Sequence, residues 1–191
     1  MKDLEKVNYI GQLFPLVNEI KNVSLRNKVI KVWLKVWGES KWDCIEVALF
    51  NPKVKFERCS LVEHVNFVTT AALDIGRLVQ DIFRLSVNFD VLLAGALLHD
   101  VSKLVEFEPK GDGEQKTDIG RQVTHAVYGT HVALSVGVPL NVVHLIISHT
   151  PQTTLIPSSV EGIILAYVDY IAADVMFLSA GVNLLLEAHK K

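Results

Sequence analysis

Residues 61–83 read LVEHVNFVTTAALDIGRLVQDIF. Leu61, Val65, Val68, Ala72, Ile75, Val79 and Ile82 recur at steps of three and four. That spacing lines one face of an α-helix and does not fit a strand, whose faces repeat every second residue. The next block, DVLLAGALLHDVSKL at 90–104, is apolar without a break from Val91 to Leu98. A helix that is apolar all round belongs inside a bundle. Residues 105–118, VEFEPKGDGEQKTD, are polar and carry two glycines and a proline, so they read as one long loop. Beyond them, 119–136 reads as a helix ended by Gly137 and Pro139, and 141–148 as a short helix stopped before Pro151. The last helix is expected over 160–179, capped by Ser158 or Ser159, with Gly181 after it.

Upstream, residues 2–20 are amphipathic, with a break at Pro15. Ser24 is a candidate N-cap for a helix over 25–37, where Val29, Val32, Trp33, Val36 and Trp37 share a face and Gly38 follows. A further short helix is expected within 39–50, ended by Asn51-Pro52. Period-two alternation is scarce, and no internal repeat is visible. The fold class expected is all-α, a helical bundle. Residues 1–57 would form an N-terminal helical extension packed on the core, and 58–191 the main domain.

The chain has 191 residues, long enough to bury a core without disulfides or metals as staples. Half of them (50%) are hydrophobic and 21% charged, which excludes disorder as the main state. A net charge of −2 argues against a basic surface that coats nucleic acid. Cys44 and Cys59 are too few for a disulfide framework and read as buried, inert thiols in a reducing cytoplasm. The N-terminal MKDLEKVNYI has acids where a signal peptide would have an apolar run. Residues 162–186 are apolar enough to suggest a membrane span, but Asp169 and Asp174 lie inside them. Each would cost about 2.5–3.5 kcal/mol near a bilayer centre. A buried helix carrying a functional carboxylate is the better reading, with no membrane partner.

Seven histidines are present. His64 falls on the apolar side of its helix, His99 and Asp100 follow LLAGALL, His125 opens HAVYG, and His149 continues the face of Val142, Leu145 and Ile146. Asp169 sits inside ILAYVDYIAAD. An unpaired buried carboxylate costs several kcal/mol or takes up a proton, and metal coordination is one way to make it tolerable. Imidazole and carboxylate together suit Fe, Mn, Co, Ni or Zn. His99 and Asp100 differ by about 100° in direction on a helix, yet they can converge on an ion at a helix end. The two oxygens of Asp100 can then bridge two ions.

The motifs LVEHVNFV, ALLHDVSKL, HAVYGTH, IISHTP and ILAYVDY resemble, in that order, those of the HD-domain metal-dependent phosphohydrolases. The resemblance covers about residues 58–180, and HDVSK is similar to the HDIGK variant of the motif. It implies two divalent ions, drawn from Fe, Mn, Co, Ni, Zn or Mg. One would take His64, His99, Asp100 and Asp169. The other would take Asp100 as bridge, with His125 and His149. The implied activity is hydrolysis of a nucleotide or another small phosphorylated metabolite, with metal-bound hydroxide attacking phosphorus. Asp100 and Lys103 would be the catalytic residues. Lys103, one turn after His99, would also bind phosphate, and Lys110, Lys116 and Arg121 in and beside the polar loop would clamp further phosphates, with the loop as a lid. The symmetrical dinucleoside tetraphosphate hydrolases are the nearest subgroup in pattern, although Val168 stands where they have Ala. The absence of GYP after His149 speaks against a cyclic-di-GMP phosphodiesterase.

Two rival readings share the ligand set. One is a di-iron oxygenase on the same scaffold, which would consume oxygen. The other is a non-catalytic nucleotide sensor, against which the full ligand set argues. His131 and His144 match no ligand position, and Asp174 is a weaker candidate than Asp169. Trp33, Trp37 and Trp42 lack the basic stripe of a base-stacking platform, so they read as core or interface. A homodimer is one reading of that N-terminal region.

Overall fold

The computed structural model of the chain describes residues 3–52, 54, 60–111 and 113–188. Cys59, His189 and the expected boundary at 57–58 lie outside the described residues. The architecture is an all-α bundle with one small antiparallel hairpin. Its elements in order are α1 (Asp3–Leu13), α2 (Val23–Glu39), α3 (Leu61–Phe83), α4 (Phe89–Leu98), α5 (Lys103–Glu106), β1 (Phe107–Lys110), β2 (Gly113–Lys116), α6 (Asp118–Gln122), α7 (His125–Val136), α8 (Leu140–Ser148), α9 (Val160–Ser179) and α10 (Leu185–Ala188).

Helix α4 is the axis of the bundle. Every residue from Val91 to Leu98 is buried, as its unbroken apolar sequence requires. It packs against α3, α8, α2 and α9. Helix α3 begins at a capping box: the Ser60 hydroxyl accepts from the Glu63 N–H, and the Glu63 carboxylate accepts from the Ser60 N–H. Its periodic face buries Leu61, Val65, Val68 and Ala72. Pro15 ends the first helix as expected, and a single 3-10 turn (Pro15–Glu19) leads into α2. The Asp90 carboxylate accepts from the backbone N–H groups of Lys21 and Asn22, at 2.7 and 2.9 Å, and ties this lead-in to the start of α4. Phe14 stacks on Trp33, whose indole donates to the Leu97 carbonyl at 2.9 Å. The apolar residues of α1 and α2 thus join the same core as those of α3, α4, α8 and α9.

Several expectations are corrected. The cap of α2 is Asn22, whose side chain accepts from the Leu25 N–H, and not Ser24. The helix runs through Gly38 to Glu39. Within 39–50 there is one 3-10 turn, Ile45–Val47, where a short helix was expected. The polar stretch 105–118 is not one loop: it begins in the end of α5 and ends at the start of α6, and between them β1 and β2 form a hairpin with Phe107 opposite Lys116 and Lys110 opposite Gly113. Gly111, at φ +55°, supplies the left-handed backbone its turn needs. The hairpin is fastened to the N-terminal region: Trp42 donates to the Phe107 carbonyl at 3.1 Å, and Leu49 N–H donates to Glu114 at 2.6 Å. The expected helix over 119–136 is two helices. It breaks because Thr124 is extended (ψ 151°), which makes His125 the first residue of α7. Cys44 is half-buried and free.

Helix α9 is long and apolar enough to cross a membrane, and half of its most apolar window is buried in the bundle. Asp169 is on that buried side.

Candidate metal centre

Each histidine of interest sits at a junction. His99 and His149 immediately follow the last residues of α4 and α8. Both rings donate Nδ1–H back to the carbonyl three residues earlier, Ala96 and Ile146, each at 2.7 Å. A carbonyl only accepts, so the proton is on Nδ1 and the Nε2 lone pair points away from the helix. The C-terminal ends of these helices also favour positive charge there. His64 projects from the first turn of α3, His125 from the first turn of α7, and Asp169 from the middle of α9.

These atoms converge. His64 Nε2 lies 3.2 Å from His99 Nε2, and His125 Nε2 lies 3.3 Å from His149 Nε2. Asp100 stands between the two pairs. Its Oδ2 is 3.3 Å from His64 and 3.5 Å from His99, while its Oδ1 is 3.2 Å from His125 and 3.7 Å from His149. Asp169 Oδ1 approaches the first pair at 3.1 and 3.5 Å. All six residues are buried. Asp100 Oδ1 and Asp169 Oδ1 have no hydrogen-bond donor among the described residues. Facing lone pairs and orphaned carboxylate oxygens in a buried site repel one another unless a cation lies between them. Two groups of donors can each hold an ion, His64–His99–Asp100–Asp169 and Asp100–His125–His149, each with its atoms within 4.8 Å of one another.

The electrostatics fit the same picture. Burial pushes Asp100 up, but the Lys103 ammonium and the His99 and His125 imidazoles outweigh it and hold the carboxyl well below its usual range. Burial likewise pushes Asp169 up, and His64 and His99 overcome it to leave the group ionised. Burial lowers His64, yet Asp100 and Asp169 raise it above an ordinary histidine. His125 is lowered, first by burial and then by the Lys103 charge. Without an ion, a proton on His64 is the available counter-charge for two carboxylates; a divalent ion does that work better.

Lys103 lines a small cavity over the cluster with Phe50, Asp100, His125, Thr150 and Gln152. Its Nζ is 3.7 Å from Asp100 Oδ2 and 4.7 Å from the centre of the Phe50 ring. The structure does not bring the other three expected phosphate clamps there. Lys110 is exposed on the hairpin, and Arg121 pairs with Asp118 on the surface. Lys116 binds Glu106 at 3.0 Å. His131 and His144 lie outside the cluster, His144 bonding to Ser158, and Asp174 accepts from Leu185 and Leu186 N–H.

Two neighbours escaped the sequence reading. Glu106 is buried, and its Oε2 is 3.5 Å from His125 Nδ1. Burial raises its pKa, but His125 and Lys103 outweigh that and keep it low. An acid in the apolar run Leu104–Phe107 was the available signal. Phe50 stacks on His64 with ring centres 3.9 Å apart, and nothing in its local sequence marks it.

The HD domain profile matches residues 61–174, and the chain belongs to the HD domain family. It is similar to the dihydroneopterin 2',3'-cyclic phosphate phosphodiesterase of Methanocaldococcus jannaschii, 27% identical over 167 residues. That alignment covers 83% of this chain and 66% of the relative, so the chain spans just under two thirds of the relative's length. No solved structure matches.

Proposed function

We propose that the chain is a metal-dependent phosphodiesterase acting on a small phosphorylated metabolite, with a nucleotide or a cyclic phosphate ester as the substrate class. The observation that carries this reading is Asp100: each of its oxygens faces a different pair of histidine Nε2 atoms. Such a donor set fits two divalent ions sharing one carboxylate. His64, His99, Asp100 and Asp169 would hold one, and Asp100, His125 and His149 the other. When bound, a divalent pair supplies Lewis acidity toward phosphate oxygens and makes water a nucleophile at neutral pH.

The chain's own residues do the rest. Lys103 sits over the cluster as a fixed positive charge and orients a phosphate oxygen. Its Nζ is held against the Phe50 ring face, which limits its swing. The Nδ1 bonds of His99 and His149 keep both Nε2 atoms free as donors. Burial of the cluster excludes bulk water and strengthens each of these charges. The name of the relative from Methanocaldococcus jannaschii favours a phosphodiester, including a 2',3'-cyclic one, over a monoester.

The test is an anaerobic hydrolysis assay with added Mn²⁺ or Fe²⁺. The panel holds nucleoside 2',3'-cyclic phosphates, a pterin 2',3'-cyclic phosphate, dinucleoside polyphosphates and monoesters, with Asp100→Ala run in parallel. Wild-type turnover lost in Asp100→Ala is expected. Equal turnover by both proteins, or turnover only with oxygen consumed, sinks the reading.

A further inference from the structure

The cavity over the cluster measures about 120 Å³, room for a phosphate group and little more. A second cavity of about 550 Å³ adjoins it, and the two share Thr150 and Pro151 as a common wall. His149 also lines the larger one. That volume is in the range of small-molecule pockets, typically ~300–1,000 Å³. Of the residues in the metal cluster, His149 alone lines it.

Its walls have a definite character. Tyr167 and Tyr170 stand three residues apart on α9 and so share one side. Leu155 and Ile156 come from the segment after α8, which Pro151 and Pro157 bracket and stiffen. Ile156 is 78% exposed and Tyr167 68%, so an apolar and aromatic wall is left facing solvent. Asp174 also lines the cavity. Each of its oxygens accepts one backbone N–H, from Leu185 at 2.6 Å and Leu186 at 3.1 Å. A carboxylate oxygen has two lone pairs, so both can accept one donor more. An apolar slot with tyrosine rings and an anionic acceptor suits a flat ring that offers adjacent N–H donors.

We infer that this second cavity is a subsite for a planar nitrogen heterocycle with a 2-amino-4-oxo edge, the group shared by pterins and guanine, joined to the phosphate held over the metal cluster. The inference rests on the phosphodiesterase reading for the phosphate half of the ligand. Tyr167, Tyr170, Leu155 and Ile156 contact the ring faces, and Asp174 accepts from its amino and ring N–H groups. The shared wall at Thr150 and Pro151 sets the reach between ring and phosphate.

Calorimetric titration of the metal-loaded protein with neopterin and with guanosine tests this, because neither probe carries a phosphate. One or both should bind, and the stronger one names the ring. Tyr167→Ala and Ile156→Ser should each weaken that binding about tenfold through lost ring contact, and Asp174→Asn should weaken it at least as much. Both exposed positions can be changed without opening the core, and a melting curve checks that the fold persists. In turnover, the same variants should lower kcat/KM for the heterocyclic cyclic phosphate about tenfold more than for glycerol 1,2-cyclic phosphate, which has no ring. No binding of either probe by the wild type, or equal binding by wild type and all three variants, overturns the subsite. Ring binding without hydrolysis of any ester leaves the subsite standing and removes the phosphodiesterase reading. Hydrolysis of both esters with equal kcat/KM and no ring binding does the reverse.

Discussion

Replacing Gly95 by alanine tests how the two halves of the cluster are held together. Gly95 lies one turn before His99 on α4, and Leu145 lies one turn before His149 on α8. A Cβ at residue 95 would meet Leu145 Cδ2 at 2.5 Å, Cβ at 3.0 Å and Cγ at 3.3 Å. The methyl tip can rotate away, but the Leu145 Cβ is fixed to its backbone, so the helices must separate. Two opposing effects set the magnitude. Alanine stabilises a helix interior over glycine by about 1 kcal/mol. Overpacking a filled core costs about 1–3 kcal/mol, and a contact with Cβ belongs at the upper end. The net expectation for Gly95→Ala is a loss of about 1–2 kcal/mol, or roughly 2–8 °C in Tm for a chain of this size. The spread of the helices also parts the His99 and His149 rings, now 5.0 Å apart between centres, so Mn²⁺ affinity should fall with stability. Leu145→Ala alone should cost about 2–5 kcal/mol through the cavity it leaves. The double variant should be more stable than the sum of the singles by about 1–3 kcal/mol, since the new methyl occupies the vacated space. Urea and thermal unfolding in chelator, followed by Mn²⁺ titration of each variant, give all of these quantities. A Gly95→Ala protein as stable as wild type, or a strictly additive double variant, refutes the close α4–α8 contact as the spacer of the cluster.

Metal content by elemental analysis should separate the two proposed ion positions: His125→Ala retains one ion per chain and Asp100→Ala neither, whereas a shared loss in both would contradict separate positions. Glu106→Gln keeps the shape but removes the charge behind His125, and metal affinity measured by competition with a chelator should fall about 10–100-fold. An unchanged affinity would reduce Glu106 to a partner of Lys116. Tyr9 donates to the Glu46 carboxylate, and burial together with this acid pushes its pKa from 10.0 to about 12. The phenol therefore contributes stability that is complete below pH 10 and fades as pH rises toward 12. Tyr9→Phe should flatten that alkaline loss in a Tm-against-pH series, and an identical slope would show that the contact is absent in solution.

The fold was legible where burial is one-sided and long. Seven residues mark the face expected between Leu61 and Ile82; the structure reproduces the bounds as α3 and buries the first four of the seven, while Ile82 is exposed. Residues 160–179 were found because Ser159 caps them and Gly181 follows. The hairpin was illegible for a physical reason. Its strands, FEPK and GEQK, have no alternating apolar face, and they are held from outside by Trp42, Leu49 and Lys41. Tertiary bonds of that kind leave no local trace. The break before His125 was hidden in the same way, since Thr124 continues a helical pattern by composition but not by backbone. At the site, the order of histidines and aspartates pointed to residues that the structure does bring within a few ångströms of one another. Phe50 was not legible, because it acts by contact with a histidine distant in sequence and its residue type announces no such role. Glu106 left one signal, an acid inside the apolar run Leu104–Phe107, but its contact with His125 had no local trace.

The two donor pairs are built on one plan with a difference. Each pairs a ring locked by the backbone with a ring set by a side chain. His99 and His149 are held by carbonyls of their own helices, so their tautomer is set by backbone and not by another side chain. Their partners differ. Neither His64 Nδ1 nor His125 Nδ1 has a hydrogen-bond partner among the described residues, and Phe50 stacks on the His64 ring. His125 instead has a carboxylate close by: Glu106 Oε2 stands 3.5 Å from its Nδ1, and Lys116 of the hairpin holds the other oxygen of that carboxylate. A carboxylate behind an imidazole makes it a stronger donor. The first group already contains two carboxylates, Asp100 and Asp169, whereas the second has a share of Asp100 alone. Glu106 thus places negative charge where the donor set is poorer in it. The hairpin then has a purpose other than covering the site: it leaves the end of α5 just after Glu106 and brings Lys116 back to fix that acid, which faces His125.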